Sequence, residues 1–94
     1  MVNALLIHPH DDVVVVTAPV QPGDVINYIA DGVEKQIIAV NEIPIYHKAS
    51  IRDIAENALV YKYAKPIGKA LCPIEKGSHV HCHNIASPST KEDT

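Results

Sequence analysis

The sequence predicts a mainly β fold, one small domain of short strands and hairpins with little helix. Three observations carry this. Apolar residues make up 47% of the chain, yet there is no Phe and no Trp, and Val, Ile and Ala dominate. β-Branched side chains suit the pleated surface of a sheet. Seven Pro and four Gly interrupt the chain often, which favours short strands over long helices. Asp31-Gly32 lies between two β-rich runs, a strong hairpin signal because both central residues must accept positive φ.

The elements follow in order. Ala4 to Ile7 is a short apolar strand, and Pro9 to Asp12 is a polar break. Val13 to Thr17 is apolar on both faces, so it reads as a buried strand. Pro19 to Gly23 is a turn, and Asp24 to Ala30 and Val33 to Val40 flank the Asp-Gly corner. The chain is then irregular through Pro44, and Ile51 to Glu56 reads as a single helical or 3₁₀ turn. Asn57 to Tyr63, Ile67 to Leu71 and Ser78 to Asn84 are further strands, and residues 87–94 form a polar, flexible tail.

An internal repetition runs through this pattern. Val20-Gln21-Pro22-Gly23-Asp24-Val25-Ile26 places an apolar residue, then Gly three positions on, then an apolar residue three further. Ile54 to Val60 repeats it with Asn57 for the Gly, and Ile74 to Val80 repeats it with Gly77. Each unit reads as a tight turn with a positive-φ residue leading into a strand. The spacing is too uneven for a solenoid and fits a small pseudo-symmetric, curled β domain.

Composition narrows the function classes. A net charge of −3 argues against a nucleic-acid partner, although six His could reverse the balance below about pH 6.5. Two cysteines, Cys72 and Cys82, are few for a disulfide-built secreted domain. The apolar run Val2 to Ile7 lacks the basic flank of a signal peptide, and no run reaches the roughly 20 apolar residues that span a bilayer. The expectation is a cytoplasmic protein with reduced thiols, no membrane partner and no nucleic acid.

The densest chemistry lies in Gly77-Ser78-His79-Val80-His81-Cys82-His83-Asn84. On a strand, His79, His81 and His83 would share one face and Val80 and Cys82 the other, making Cys82 a small buried apolar residue. Such a row can ligate metal, bind a carboxylate, or be ordinary surface. Same-face neighbours stand about 6.5–7 Å apart, so two of the three can share a metal and a third ligand must come from elsewhere, such as His47 or His8. His47-Lys48, in the irregular segment, offers a proton donor or acceptor beside a cation for a carboxylate. Asp11-Asp12 reads as a solvated turn and Arg52-Asp53 as a local ion pair.

Taken together, four stretches resemble one family. They are Ile7-His8-Pro9 with Asp11 to Val15; Ile43-Pro44 with His47-Lys48-Ala49; Val60 with Lys62-Tyr63 and Pro66 to Ala70; and Gly77 with Val80 to Asn84. In this order they resemble the SAF domain, the β-clip module of antifreeze-like and sugar-acid dehydratase proteins. More narrowly, they resemble the N-terminal domain or small subunit of the altronate/galactarate dehydratase family, which includes the sulfolactate sulfo-lyase small subunit. The chain departs from the family where Tyr46, Asn57 and Ala64 stand at usual Gly positions.

The resemblance implies a SAF domain over residues 1–86 and a role as accessory subunit of a lyase. That lyase would β-eliminate water or sulfite from a hydroxylated carboxylate such as a sugar acid or sulfolactate. It implies a large catalytic partner and a divalent metal, iron or manganese, held mainly by that partner; the isolated small subunit could self-associate. His47, His81 and His83 become candidates for catalysis, and Lys48, Lys62 and Asn84 for substrate binding. His8, His81 and His83 become candidate metal ligands, with His79 matching the family less well. The alternatives are a free-standing module binding a sugar acid, glycan or metal, and a structural interaction domain.

Overall fold

The computed structural model describes residues 2–86; the expected tail, 87–94, lies outside the described residues. Nine short strands form: β1 (Ala4–Leu5), β2 (Val13–Val16), β3 (Val25–Ala30), β4 (Val33–Ile38), β5 (Lys48–Ser50), β6 (Leu59–Lys62), β7 (Lys65–Ala70), β8 (His79–Val80) and β9 (Ile85–Ala86). They make a central antiparallel sheet, β1-β2-β5-β8, a β3-β4 hairpin, and a three-stranded sheet, β6-β7-β9. The mainly β expectation holds, and no helix forms among the described residues. The helical turn expected at Ile51 to Glu56 is instead a bridge at Ile54 followed by a turn. Ile54 is buried and pairs antiparallel with Ile74, so tertiary pairing overrides local propensity there.

The repetition is real and has a fourth member. Val20, Ile43, Ile54 and Ile74 are all buried anchors, joined in two bridges, Val20 to Ile43 and Ile54 to Ile74. Three residues past each anchor stands a positive-φ residue: Gly23 (90°), Tyr46 (68°), Asn57 (72°) and Gly77 (92°). In each turn the next residue's N–H bonds back three positions, as in Asp24 to Gln21, His47 to Pro44, Ala58 to Ala55 and Ser78 to Glu75. This is the type II turn, which needs positive φ at its third residue. Six residues past each anchor, Ile26, Ala49, Val60 and Val80 are fully buried. The Ile43 unit escapes a Gly/Asn pattern because Tyr46 occupies its positive-φ position.

Units one and two enclose one core, which includes Val14, Val16, Ile26, Tyr28 and Ile37; units three and four enclose another with Val13 and Ile67. β2 divides the two, since adjacent residues of a strand face opposite sides. Each half also carries a hairpin. Asp31-Gly32 (φ 52° and 77°) closes β3-β4, as expected. Tyr63-Ala64 (57° and 61°) closes β6-β7 in the same doubly positive conformation, without a Gly.

Asp11 compensates for that strained corner. Its carboxylate accepts hydrogen bonds from the N–H groups of Tyr63 (2.9 Å) and Ala64 (2.8 Å). Asp12 accepts from Tyr61 N–H (2.9 Å) and Arg52 Nε (2.5 Å). Both aspartates are 4% exposed, which corrects the solvated-turn expectation, and Arg52 pairs with Asp12 rather than with its neighbour Asp53. A carboxylate receiving backbone N–H groups is the stabilising use of a buried charge.

Candidate functional site

β5 and β8 carry the chemistry because they pair. Lys48 lies opposite Val80, and Ala49 opposite His79. Unit two therefore brings His47 to the side of β8, and unit four brings His79 and His81 to it. The His47 Nδ1 and His79 Nε2 atoms stand 2.9 Å apart. One ligand nitrogen from each of His47, His79 and His81 lies within 4.8 Å of the others. The His47 and His81 rings stack at 4.6 Å, and His83 lies against His79 at 5.1 Å.

The strand expected from Ser78 to Asn84 stops at Val80. Asn84 is the cause. Its buried amide donates to the His79 carbonyl (2.8 Å) and accepts from the His81 N–H (3.0 Å), while Asn84 and Ile85 N–H groups both reach the His81 carbonyl. The His81–Asn84 segment is thereby a turn, so the straight row of three imidazoles does not form. The β5–β8 register, carried one residue further, already sets His81 opposite His47; what the turn changes is His83, whose ring comes back against His79. The turn also exposes Cys82, correcting its expected burial beside Val80, which is itself buried. Both cysteines are free.

Lys48 lies on the other face of β5 and lines a cavity of about 260 Å³ with His81, Cys82, Ile67, Ile85 and Ala86. Loss of hydration lowers its pKa below that of an ordinary lysine, and the Lys62 ammonium lowers it further, with Cys82 acting in the opposite sense. Lys62 is half-buried with its Nζ 4.7 Å from the Tyr63 ring centre. The site is thus a cluster of imidazoles beside a cation-bearing pocket. Burial lowers His79 from the usual 6.5 to about 4, with His83, His47, His81 and Lys48 adding repulsion. Loss of hydration, then His47, Lys48 and His83, lowers His81. A neutral imidazole keeps the lone pair that a metal needs.

The expected residues therefore separate. His47, Lys48 and His81 converge, with Lys62 acting on Lys48 and His83 at the cluster's edge. Asn84 spends both ends of its amide on the backbone that shapes the turn. His8 lies apart, lining a different pocket with His10, Asp12, Arg52, Tyr61 and Ala64. His79, set lowest among the row's members by family likeness, sits at the centre of the cluster; its backbone N–H is held by Asn41 Oδ1 (3.0 Å). Its alternation with His81 is the signal that points to it, and the turn that leads into the missed strand β5 supplies the third ring, His47.

Residues 2–88 match the altronate/galactarate dehydratase SAF domain, and the chain belongs to that family. It is 38% identical over 84 residues to the (2R)-sulfolactate sulfo-lyase subunit alpha of Chromohalobacter salexigens, covering 85% of this chain and 89% of that subunit. It is 38% identical over 79 residues to the altronate dehydratase of Escherichia coli (strain K12), covering 83% of this chain but 15% of that enzyme. The altronate dehydratase of Bacillus subtilis (strain 168) is 31% identical over 84 residues, with 16% of its length covered. The chain thus matches nearly all of a separate subunit and a small part of the longer dehydratases.

Proposed function

We propose that this chain is the small subunit of a metal-dependent lyase that β-eliminates water or sulfite from a hydroxylated carboxylate. The observation that carries the reading is the convergence of His47, His79 and His81 beside the Lys48 pocket. Its similarity to a sulfo-lyase subunit and to altronate dehydratases supports the reaction class.

The donor set fits a transition metal. Three imidazoles suit iron or zinc better than manganese, which favours oxygen ligands. His47, His79 and His81 would hold the ion together with groups from the large partner, and the ion would supply Lewis-acid polarisation of the substrate's oxygen atoms. The remaining work falls to side chains. The Lys48 ammonium, in a partly dehydrated pocket, pairs with the substrate carboxylate more strongly than an exposed lysine would. The elimination breaks a C–H bond next to the carboxylate and a C–O or C–S bond one carbon further, forming a C=C bond. A histidine must take the proton or deliver one to the leaving group, and His83, exposed at the edge of the cluster, is placed to exchange protons with water. Asn84 and Asn41 fix the ring-bearing backbone and so act as positioning residues.

The test is to purify the tagged chain from its own host under native conditions, identify what accompanies it, and assay the complex with sugar acids and sulfolactate. A stoichiometric larger subunit with bound iron, and elimination activity that falls about 100-fold or more in His47→Ala and His81→Ala, is the expected result. A chain that emerges alone and metal-free, or variants that keep full rate in the complex, would overturn the reading in favour of a binding module.

A further inference from the structure

The pocket that holds His8 is built separately and takes no part in the imidazole cluster. It has a volume of about 510 Å³ and is lined by His8, His10, Asp12, Arg52, Tyr61 and Ala64. Arg52 lies just past the end of β5 and Asp12 just before β2, so both sit at the opposite end of this strand pair from His47.

Its polar groups are already oriented. The Asp12 side chain is 5% exposed and grips Arg52 through Nε alone (2.5 Å). Its other oxygen is consumed by the Tyr61 N–H (2.9 Å). The Arg52 side chain is 57% exposed, and the two terminal amino groups form no hydrogen bond among the described residues. Those two groups make the outer edge of the guanidinium, which matches a carboxylate or phosphate in bidentate fashion. The His10 backbone N–H donates to His8 Nδ1 (3.1 Å). A neutral His8 therefore carries its proton on Nε2 and presents a donor there. The His8 backbone is held in turn by Asp11, whose carboxylate accepts its N–H (3.2 Å) and whose N–H bonds its carbonyl (3.0 Å). The His10 ring stands 5.4 Å from that of His8.

We propose that this cavity is a second anion site, taking one carboxylate or phosphate group of a small molecule on the outer edge of Arg52, with His8 Nε2–H as the second donor. Because Asp12 balances the charge of Arg52, the site selects by hydrogen-bond geometry more than by charge, and binding is weak. Asp12 is the positioning residue, since it fixes the guanidinium plane from the buried side.

The proposal is independent of the lyase reading and is tested on the whole chain alone. ¹⁵N-resolved NMR spectra are recorded while acetate, and separately inorganic phosphate, are added at constant ionic strength. Saturable shifts at His8, His10, Arg52, Tyr61 and Ala64 are expected, and the His8 ring spectrum should show the proton on Nε2. Arg52→Lys keeps a cation for Asp12 but loses the fork, and His8→Gln leaves the ion pair intact. Each should weaken binding by about tenfold, as loss of a hydrogen bond to a charged group does. His47→Ala, at the other site, should leave the binding constant here unchanged. Shifts that never saturate, that centre on Lys48 and His81, or that persist at full strength in Arg52→Lys would overturn the proposal.

Discussion

The two halves of the molecule use one plan in different materials. In the first half, unit one turns on Gly23 and its hairpin closes with Asp31-Gly32, residues that accept positive φ readily. In the second, the hairpin closes with Tyr63-Ala64, and Asp11 reaches in from outside to hold both N–H groups. At this hairpin, where glycine is absent, a buried carboxylate does the stabilising. The units also divide by role: units one and three lead into hairpins, while units two and four lead into β5 and β8 of the central sheet. The latter pair carries His47 and His79, and their pairing makes the imidazole cluster. Repetition supplies the frame, and departure from it supplies the chemistry.

The largest test of this comparison lies at the two positive-φ residues that precede β5 and β8. Tyr46 is 71% exposed, so its side chain costs only backbone strain. Gly77 is buried, and an added Cβ would collide with the Ile38 backbone carbonyl, which cannot move without breaking β4. Gly77→Ala should therefore destabilise by about 3 kcal/mol or more, combining strain with a backbone clash. Tyr46→Gly, at the equivalent position, should be neutral or stabilising by up to about 1 kcal/mol. Denaturant unfolding of both variants checks this. Equal effects at the two positions would show that the units are not packed as described.

Next in size is the staple on the second hairpin. Asp11→Ala removes the acceptor for the Tyr63, Ala64 and His8 N–H groups at once. The expected loss is about 2–3 kcal/mol, as for hydrogen bonds to a charged group. Adding Ala64→Gly should recover part of it by relieving the positive φ. If Asp11→Ala costs no more than a surface substitution, the carboxylate is incidental to the turn.

Much of this was open to sequence reasoning. The Asp31-Gly32 hairpin, β2, and three of the four turn units follow from alternation and from Gly or Asn at fixed offsets. What escaped did so for physical reasons. β5 is three residues long and preceded by Tyr46, so neither length nor turn chemistry marks it. The alternation His-Val-His-Cys-His reads as strand beyond Val80, where β8 ends. A local contact ends it, the Asn84 amide on the His79 and His81 backbone three and five residues back, and the alternation masks that turn signal. The buried Asp11-Asp12 pair looked like a turn because its partners lie about 40–50 residues away in sequence. The ring set His47, His79 and His81 is a product of those same long-range pairings. The residue types in the site were therefore legible while their grouping was not.

The smallest expected effect concerns the seam where units two and four meet. Burial and three neighbouring imidazoles lower His79 to about 4, whereas an unfolded chain titrates it near 6.5. Between those values the unfolded state binds more protons, so stability rises with pH across that window. Acidification from pH 7 should thus begin to destabilise the fold near pH 6.5 and finish near pH 4. The half-buried ring is partly screened, so the contribution is on the order of 1 kcal/mol. His79→Gln should flatten this part of the stability profile while leaving stability at pH 7.5 nearly unchanged. Histidine ¹H–¹³C spectra followed against pH would read the titration directly. A His79 that titrates near 6.5 would mean that the rings stand further apart than the 2.9 Å contact with His47 implies. The seam between the two units would then be looser than either core it joins.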